Sequence, residues 1–470
     1  MKLSKLALTL SVVLALSACS TTKLSADGSL EQAQATYQQY EEITKQFQIN
    51  EQWWQGYNDS QLNSLVEQAI ANNLDLAKSA IAVNRALYNA NLVGANLVPT
   101  FSGSGSSSAA KKLHSTTQSR LGVSQASTGP STISNTAAFN LSYTLDLWQR
   151  LADAASAAEW EHKATVEDLK ATRLSLLNSV VSTYYQIAYY KDAIAVIERT
   201  INNYQQISTI LNNKYAAGAI DRLAVEQAQQ ATLNARNSLI SVRTNLKTAE
   251  QTLRNLLNLK PNQALPTRYP SILGVKLQGI DLNVPVSAIA NRPDVVARLN
   301  RLQSAFKSLT ATEKSWFPTV TLSGSISASA SKVANISDNP VGNGVISFDL
   351  PFLDWNRVKN NVKISESDYM TAKLNYEQTV TSALNEIDQH YYAYQQSLSS
   401  YATLQQAYEH DKRISNYYKN RYEQGVSEFR EWISALNTEL NSQLSILNQK
   451  YMILSNENTV YQSMAGKYRR

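Results

Sequence analysis

Shifted against itself by 207 positions, the chain pairs Trp148 with Trp355, Arg150 with Arg357, Asn178 with Asn385 and Tyr184-Tyr185 with Tyr391-Tyr392. The same shift pairs Ser208 with Ser415, Tyr215 with Tyr422, Gly218 with Gly425, Ala228 with Ala435 and Asn234 with Asn441. Matches held at one offset over about ninety residues predict a duplicated unit. Upstream the offset becomes 219, where "VPTFSGSGS" matches "FPTVTLSGS" and Asp75 matches Asp294. The first copy therefore carries a connection twelve residues longer than the second.

Each copy repeats one order of periodicities. A helical pattern comes first, from Leu62 to about Asn96 and from Pro293 to about Trp316, and Pro99 or Pro318 stops it. Period-two alternation follows, with Val320, Leu322, Ile326 and Ala328 against Thr321, Ser323, Ser325 and Ser327. A second alternating run sets Phe139, Leu141, Tyr143 and Leu145 against Asn140, Ser142 and Thr144; its counterpart sets Ile346, Phe348 and Leu350 against Ser347 and Asp349. Each pair of runs predicts a hairpin with one apolar face. A half-buried strand of a soluble sandwich shares that alternation, while a face of Ser and Thr also suits the wet lumen of a membrane barrel.

No glycine or proline occurs from Arg150 to Ala217, or from Arg357 to Gln424. A helix of that length reaches about 100 Å at 1.5 Å per residue, and it is stable only if neighbours cover its apolar stripe. That stripe reads Ile194, Ile197, Ile201, Tyr204, Ser208, Leu211, Tyr215 in copy one. In copy two it reads Tyr401, Leu404, Tyr408, Asp411, Ser415, Tyr418, Tyr422. Both are coiled-coil-like seams softened by polar residues, with Tyr215 and Tyr422 read as packing residues. In the first copy the two shorter helices, end to end, roughly match the long one in length, which predicts antiparallel packing beside it. Gly218 and Gly425 mark the turns, where a helix reverses through a backbone conformation that only glycine adopts at low cost.

The first residues add an address. Lys2 and Lys5, an apolar run from Leu6 to Leu16 and the stretch "LSAC" describe a secretory signal peptide ending at Cys19, the only cysteine. Cys19 is either a chance residue near a cleavage site or, since "LSAC" resembles a bacterial lipobox, the acylated first residue of a lipoprotein. In that resemblance Ser20 favours the outer membrane, and acyl chains contribute about 0.8 kcal/mol per buried methylene. The formal charge of +6 is interspersed with Asp and Glu and forms no basic stripe, so nucleic acid is not an expected partner. His114, His162, His390 and His410 lack metal-ligand spacing, and no phosphate-binding glycine loop is present, so neither catalysis, a cofactor nor a metal is expected. His114 is read as an exposed residue of the first hairpin loop.

The boundaries predicted are a signal peptide over 1–18, an N-terminal anchor and equatorial segment over 19–60, a first repeat over 61–260 and a second over 293–466. Hairpins fall at about 97–147 and 318–353. Pro261, Pro266, Pro270, Pro285 and Pro293 make 261–292 an irregular inter-repeat linker, and 467–470 a C-terminal tail. The fold class is α+β, mainly α. Four strands cannot close a membrane barrel, so several copies must pool them. A coiled-coil scaffold lipoprotein remains the competing reading from the helices alone.

The stretches "WWQGYNDSQLNSLVEQAIANNLDL", "RPDVVA", "FPTVTLSG", "LDLWQR" and "FLDWNR" resemble, in that order along the copies they belong to, signatures of the outer-membrane factor (TolC-like) family, in particular its lipoprotein branch resembling OprM and CusC. The resemblance implies a homotrimer with a twelve-stranded outer-membrane β-barrel, four strands per chain, continued by a long α-helical barrel in the periplasm. It implies a passive exit duct in contact with outer-membrane lipid, a periplasmic adaptor (membrane fusion) protein and an inner-membrane pump of the RND type. Drugs, dyes, toxic compounds or metal ions would be the cargo of an efflux system; type I protein secretion is the alternative. By the same resemblance the adaptor meets the tips at Ala217, Gly218, Ala219, Gln424, Gly425 and Val426. The family's gate acid six positions after the second glycine is Glu431 here. The acid three positions further is replaced by Ser434, and an arginine two positions after the glycine by Ser427. A different latch, using Glu428, Phe429 or Arg430, is therefore expected, with Glu431 read from its own position as either a gate carboxylate or a solvated helix residue.

Overall fold

The computed structural model describes residues 48–111, 115–118, 124–127, 131–281 and 292–469, with isolated helical positions between 31 and 38. Cys19, the signal segment and His114 lie outside the described residues. The chain runs through β1 Gln48–Asn50, which precedes the first copy, and then α1 Ser60–Asn72, α2 Leu74–Gly94, β2 Thr100–Lys111, β3 Ser115–Gln118, β4 Ser124–Ser127, β5 Ser131–Leu145, α3 Arg150–Ala216 and α4 Arg222–Leu256. The second copy continues with α5 Pro293–Glu313, β6 Thr319–Ala330, β7 Pro340–Asp349, α6 Trp355–Glu423 and α7 Phe429–Ser463, and β8 Lys467–Arg469 follows. The chain is mainly helical, and no described helix is long and apolar enough to cross a membrane.

Two compact units divide it. The described part of the first lies within 1–83, 165–299 and 375–470 and holds the main core. Trp53, Leu62, Tyr184, Tyr185, Leu253, Ile272 and Tyr461 are all essentially inaccessible there. The long helices fold against their shorter partners as their seams require. Along α7, Ser442, Gln449 and Asn456 bond successively to Asp411, Ser397 and Ala393 of α6, a falling sequence that makes the pair antiparallel. On the predicted seam Ile197, Ile201, Tyr204 and Leu211 are buried, whereas Tyr215 is 46 % exposed and so packs against nothing comparable.

Three local departures from the sequence reading have clear causes. The helix expected from Leu62 to about Asn96 is cut at Asn73, whose backbone is extended (φ −67°, ψ 125°). Its side-chain oxygen accepts from the amides of Asp75 and Leu76, each at 3.0 Å, and its amide donates to Leu256 O, so Asn73 ends one helix and caps the next. The stretch read as a linker is anchored: Ile272 is fully buried, and Gly279 N donates to Glu457 at 2.7 Å. The last residues form β8, antiparallel to β1 with Gln48 opposite Arg469 and Asn50 opposite Lys467.

The second unit, 84–164 and 300–374, carries a four-stranded antiparallel sheet in the order β2-β5-β6-β7. Each predicted hairpin is present, and β5 joins β6 by pairing Leu145 with Val320 through to Asn135 with Ala330. The longer connection of copy one contains a further small hairpin, β3 with β4. Direct pairs put Phe101, Leu141, Gly324 and Gly344 in one row and Gly103, Phe139, Ile326 and Gly342 in the next, all on one face. Ser102, Asn140, Ser325 and Asn343 line the other face.

The sheet feeds α3 through a capped junction. Asp146 accepts from the amides of Leu151 and Ala152 at 2.9 and 2.8 Å, while Trp148 stacks on Phe317 and donates to Pro318 O at 2.9 Å. One turn further on, Asp153 is paired with Lys307 at 3.0 Å and with Lys314. Burial pushes the Asp153 carboxyl up, but the two lysines outweigh it and hold the group below its ordinary value. Arg301–Glu161 and Ser304 to Ala157 O extend this antiparallel seam between α5 and α3.

Candidate gate at the helical tips

The echo "KYAAG" and "RYEQG" builds the same turn twice. Ala219 N donates to Lys214 O and Gly218 N to Tyr215 O, each at 2.9 Å. Val426 N donates to Arg421 O and Gly425 N to Tyr422 O, each at 3.0 Å. This pair of bonds is the Schellman closure, and it needs a left-handed residue just past the helix. Gly218 and Gly425 supply it at φ 71° and 73°. The basic residue of each echo stands in the last helical turn, where it offsets the negative end of the helix dipole. Arg421 also donates to Val426 O at 3.0 Å and to Tyr417 Oη at 3.1 Å.

Beyond the glycines the tips differ. At the first, Asp221 caps α4 by accepting from Leu223 N at 3.0 Å. At the second, the equivalent Glu428 occupies the cap position of α7 and accepts no capping bond. It faces Arg430 instead, at 3.6 Å, with both side chains about three-quarters exposed. Aromatic packing replaces the cap: Phe429 is buried, its ring 5.5 Å from Tyr422 and 5.7 Å from Trp432, and Tyr422 stacks on Trp432 at 5.5 Å. The Lys214 ammonium from the first tip lies 5.2 Å over the Tyr422 ring, within cation–π range. Burial raises the Tyr422 phenol above its ordinary value, and its hydroxyl, like that of Ser427, is buried without a hydrogen-bond partner.

Of the residues singled out in the sequence, Ala217, Gly218, Ala219, Gln424, Gly425 and Val426 form the two exposed turns, and Glu428, Arg430, Glu431 and Ser434 are exposed on the first turns of α7. Glu431 stands in the first turn, where a carboxylate suits the helix dipole. Phe429 sits apart from them, in the core shared by Ile197, Tyr204 and Val225.

Two polar clusters escape the sequence. Glu457, fully buried on α7, accepts from Tyr57 Oη at 2.8 Å and Gly279 N at 2.7 Å; burial raises its carboxyl above the ordinary range despite those bonds. Arg292 bridges Asp294 at 2.7 Å and Glu386 at 2.8 Å beside His390, whose pKa burial lowers, in a cavity of about 290 Å³. Only "RPD" hints at either, because the partners lie 94 and more residues away. No metal-binding cluster of His, Cys, Asp and Glu occurs among the described residues.

Known proteins related to this chain in sequence are outer-membrane efflux channels rather than enzymes. A family model described as "Outer membrane efflux protein" matches residues 65–259 and 284–466, and the chain belongs to that family. It is 54 % identical over 466 residues to "Toxin and drug export protein A" of Aggregatibacter actinomycetemcomitans, covering 99 % of this chain and 98 % of that protein. It is 26 % identical to "Cation efflux system protein CusC" of Escherichia coli K12, covering 89 % of each. Among solved structures it is similar to the outer membrane protein VceC of Vibrio cholerae, with a TM-score of 0.78 at 22 % identity over 89 % of this chain and all of the other. The protein is therefore an outer-membrane protein extending into the periplasm, and members of its family are trimeric channels working with adaptor and pump partners.

Proposed function

We propose that three copies form a passive exit duct of a tripartite efflux pump, with a twelve-stranded barrel in the outer membrane and a helical tunnel in the periplasm. The observation that carries this reading is the sheet. It has an apolar face, a serine-rich face and two unpaired edges, β2 and β7, in a membrane that tolerates no open edge. The helices agree: Tyr88 and Leu92 of α2 and Ile364 and Leu374 of α6 are 60 to 70 % exposed in the single chain, which suits faces covered by other copies.

Cargo is small and chemically varied, drugs, dyes, toxic compounds or metal ions, because the lumen offers serine and threonine hydroxyls rather than a shaped pocket. An adaptor engages the tips at Ala217 to Ala219 and Gln424 to Val426, and the pump is of the RND type. Cys19 carries the lipid anchor. Glu431, in three copies, forms a carboxylate ring at the mouth that favours cations, with Glu428, Phe429, Arg430 and Ser434 shaping the latch around it. A type I secretion role is the second reading, favoured by the relative whose name joins toxin export to drug export.

Deleting the gene should sensitise cells to dyes and detergents, with complementation restoring resistance. Unchanged sensitivity to every small molecule together with loss of a secreted protein would favour the second reading. Replacing Cys19 by Ala should abolish palmitate labelling; persistent label would overturn the anchor.

A further inference from the structure

The sheet's own register limits how one copy can meet the next. Val345, Ser323, Ser142 and Thr100 stand level across the four strands, as do Pro340, Ala328, Ala137 and Gly105. Consequently β7 extends past one end of β2, from Ile346 to Asp349, and β2 extends past the other end of β7, from Ser106 to Lys111. A second copy set beside β7 without stagger would pair only part of that strand. Sliding it one way sets β7 against the 3₁₀ turn at Ala95–Leu97 and the residues before it. Sliding it the other way gives all of β7 a partner within β2.

Closure fixes the amount. Membrane barrels tilt their strands by about 35 to 45°. With about 3.3 Å per residue and about 4.8 Å between strands, twelve strands then need a total stagger of about 12 to 18 residues. Three identical copies share it equally, and each share must be even, since an odd slip exchanges the polar and apolar faces. A slide of about four or about six residues per copy satisfies both conditions.

Side chains separate the two. The shorter slide puts Gly344, already beside Gly324, against Gly105 of the partner subunit, leaving Gly344 with a glycine on either side and no side chain over it on the apolar face. It also sets Phe348 against Phe101 of the partner subunit. The longer slide sets Phe348 against Gly103 of the partner subunit and Ile346 against Gly105 of the partner subunit. Within one chain the sheet already uses this device: Phe139 stands opposite Gly103, its ring 3.4 Å from where a Cβ would be, and Leu141 stands opposite Gly324, 4.0 Å from the same point there. A large side chain folded over a cross-strand glycine covers backbone that would otherwise lie bare. Phe348 and Ile346 are 67 and 63 % exposed in the single chain, on the edge strand that this arrangement pairs.

Resting on the barrel reading above, we infer that β7 pairs with β2 of the next copy in the register that sets Asn343 against Ser108 of the partner subunit and Phe348 against Gly103 of the partner subunit.

Cysteine pairs on the serine face test this in the full-length protein. Within one chain β2 and β7 are three strand spacings apart, about 14 Å, far beyond the reach of a disulfide, so any bond formed joins two copies. After mild oxidation, N343C/S108C and V345C/S106C should give covalent trimers on denaturing gels at least tenfold more abundant than N343C/S106C and V345C/S104C, with single-cysteine variants as controls. The reverse preference would overturn the register and keep the barrel. No linkage in any pair, with native mass spectrometry still showing a trimer, would also overturn the register. A protein that stays monomeric in detergent and in vesicles would overturn the barrel reading itself.

Discussion

The two tips share a backbone and differ in what holds it. Both turns close with the same pair of hydrogen bonds around a glycine at φ near 70°. At the first, a carboxylate caps the next helix, and Ile220 and Val225 reach the core beside it. At the second, the cap position holds Glu428 without a capping bond, and Tyr422, Phe429 and Trp432 pack instead. The two tips use one turn and different local devices to hold it, polar satisfaction at the first and aromatic burial at the second. A carboxylate freed from capping is available to solvent or to another chain, and the second tip leaves Glu428 and Glu431 in that condition.

Substitutions at the two tips separate the shared turn from the different contacts that hold it. Removing the Phe429 ring should cost about 3 kcal/mol of local stability, as large-to-small changes in packed sites do, and accelerate amide exchange at both tips through the shared core. Exchange unchanged in α4 would show that the tips are not coupled. Gly218→Ala and Gly425→Ala should each cost about 1 kcal/mol, since the left-handed backbone is the same and no neighbour lies within 4 Å of the added Cβ. Unequal costs would mean that the turns are alike in form only. Asp221→Ala should cost about 1 kcal/mol in α4, whereas Glu428→Ala should change α7 by less than about 0.5 kcal/mol. Equal losses in hydrogen exchange would contradict the difference in capping. Lys214→Gln should have the smallest effect, about 0.5 kcal/mol, seen as faster exchange around Tyr422.

Much of the fold is legible because it is local. Gly218 and Gly425 announce the turns, since nothing else interrupts so long a helical pattern. The alternation of Leu322, Ile326 and Ala328 with serine announces β6 and its faces, because a strand's period is visible within ten residues. Asn73 stays hidden although asparagine is a good cap, since the apolar pattern on either side runs on as though unbroken. The β5–β6 pairing, the β1–β8 pair and the Glu457 cluster each join distant segments, and no local pattern specifies such a partner. Tyr215 misleads for a related reason: its spacing fits the seam, but copy one has no counterpart there to the Phe429 and Trp432 rings that cover Tyr422.

Single-channel recording of the purified protein in planar bilayers shows whether the assembled chain conducts. Wild-type protein should show small, infrequent steps; Phe429→Ala, which loosens the tips, should open more often and more widely, and adding Glu431→Ala should weaken preference for cations. A trimer that inserts yet never conducts, even with Phe429 replaced, would contradict the channel account and return the chain to a helical scaffold.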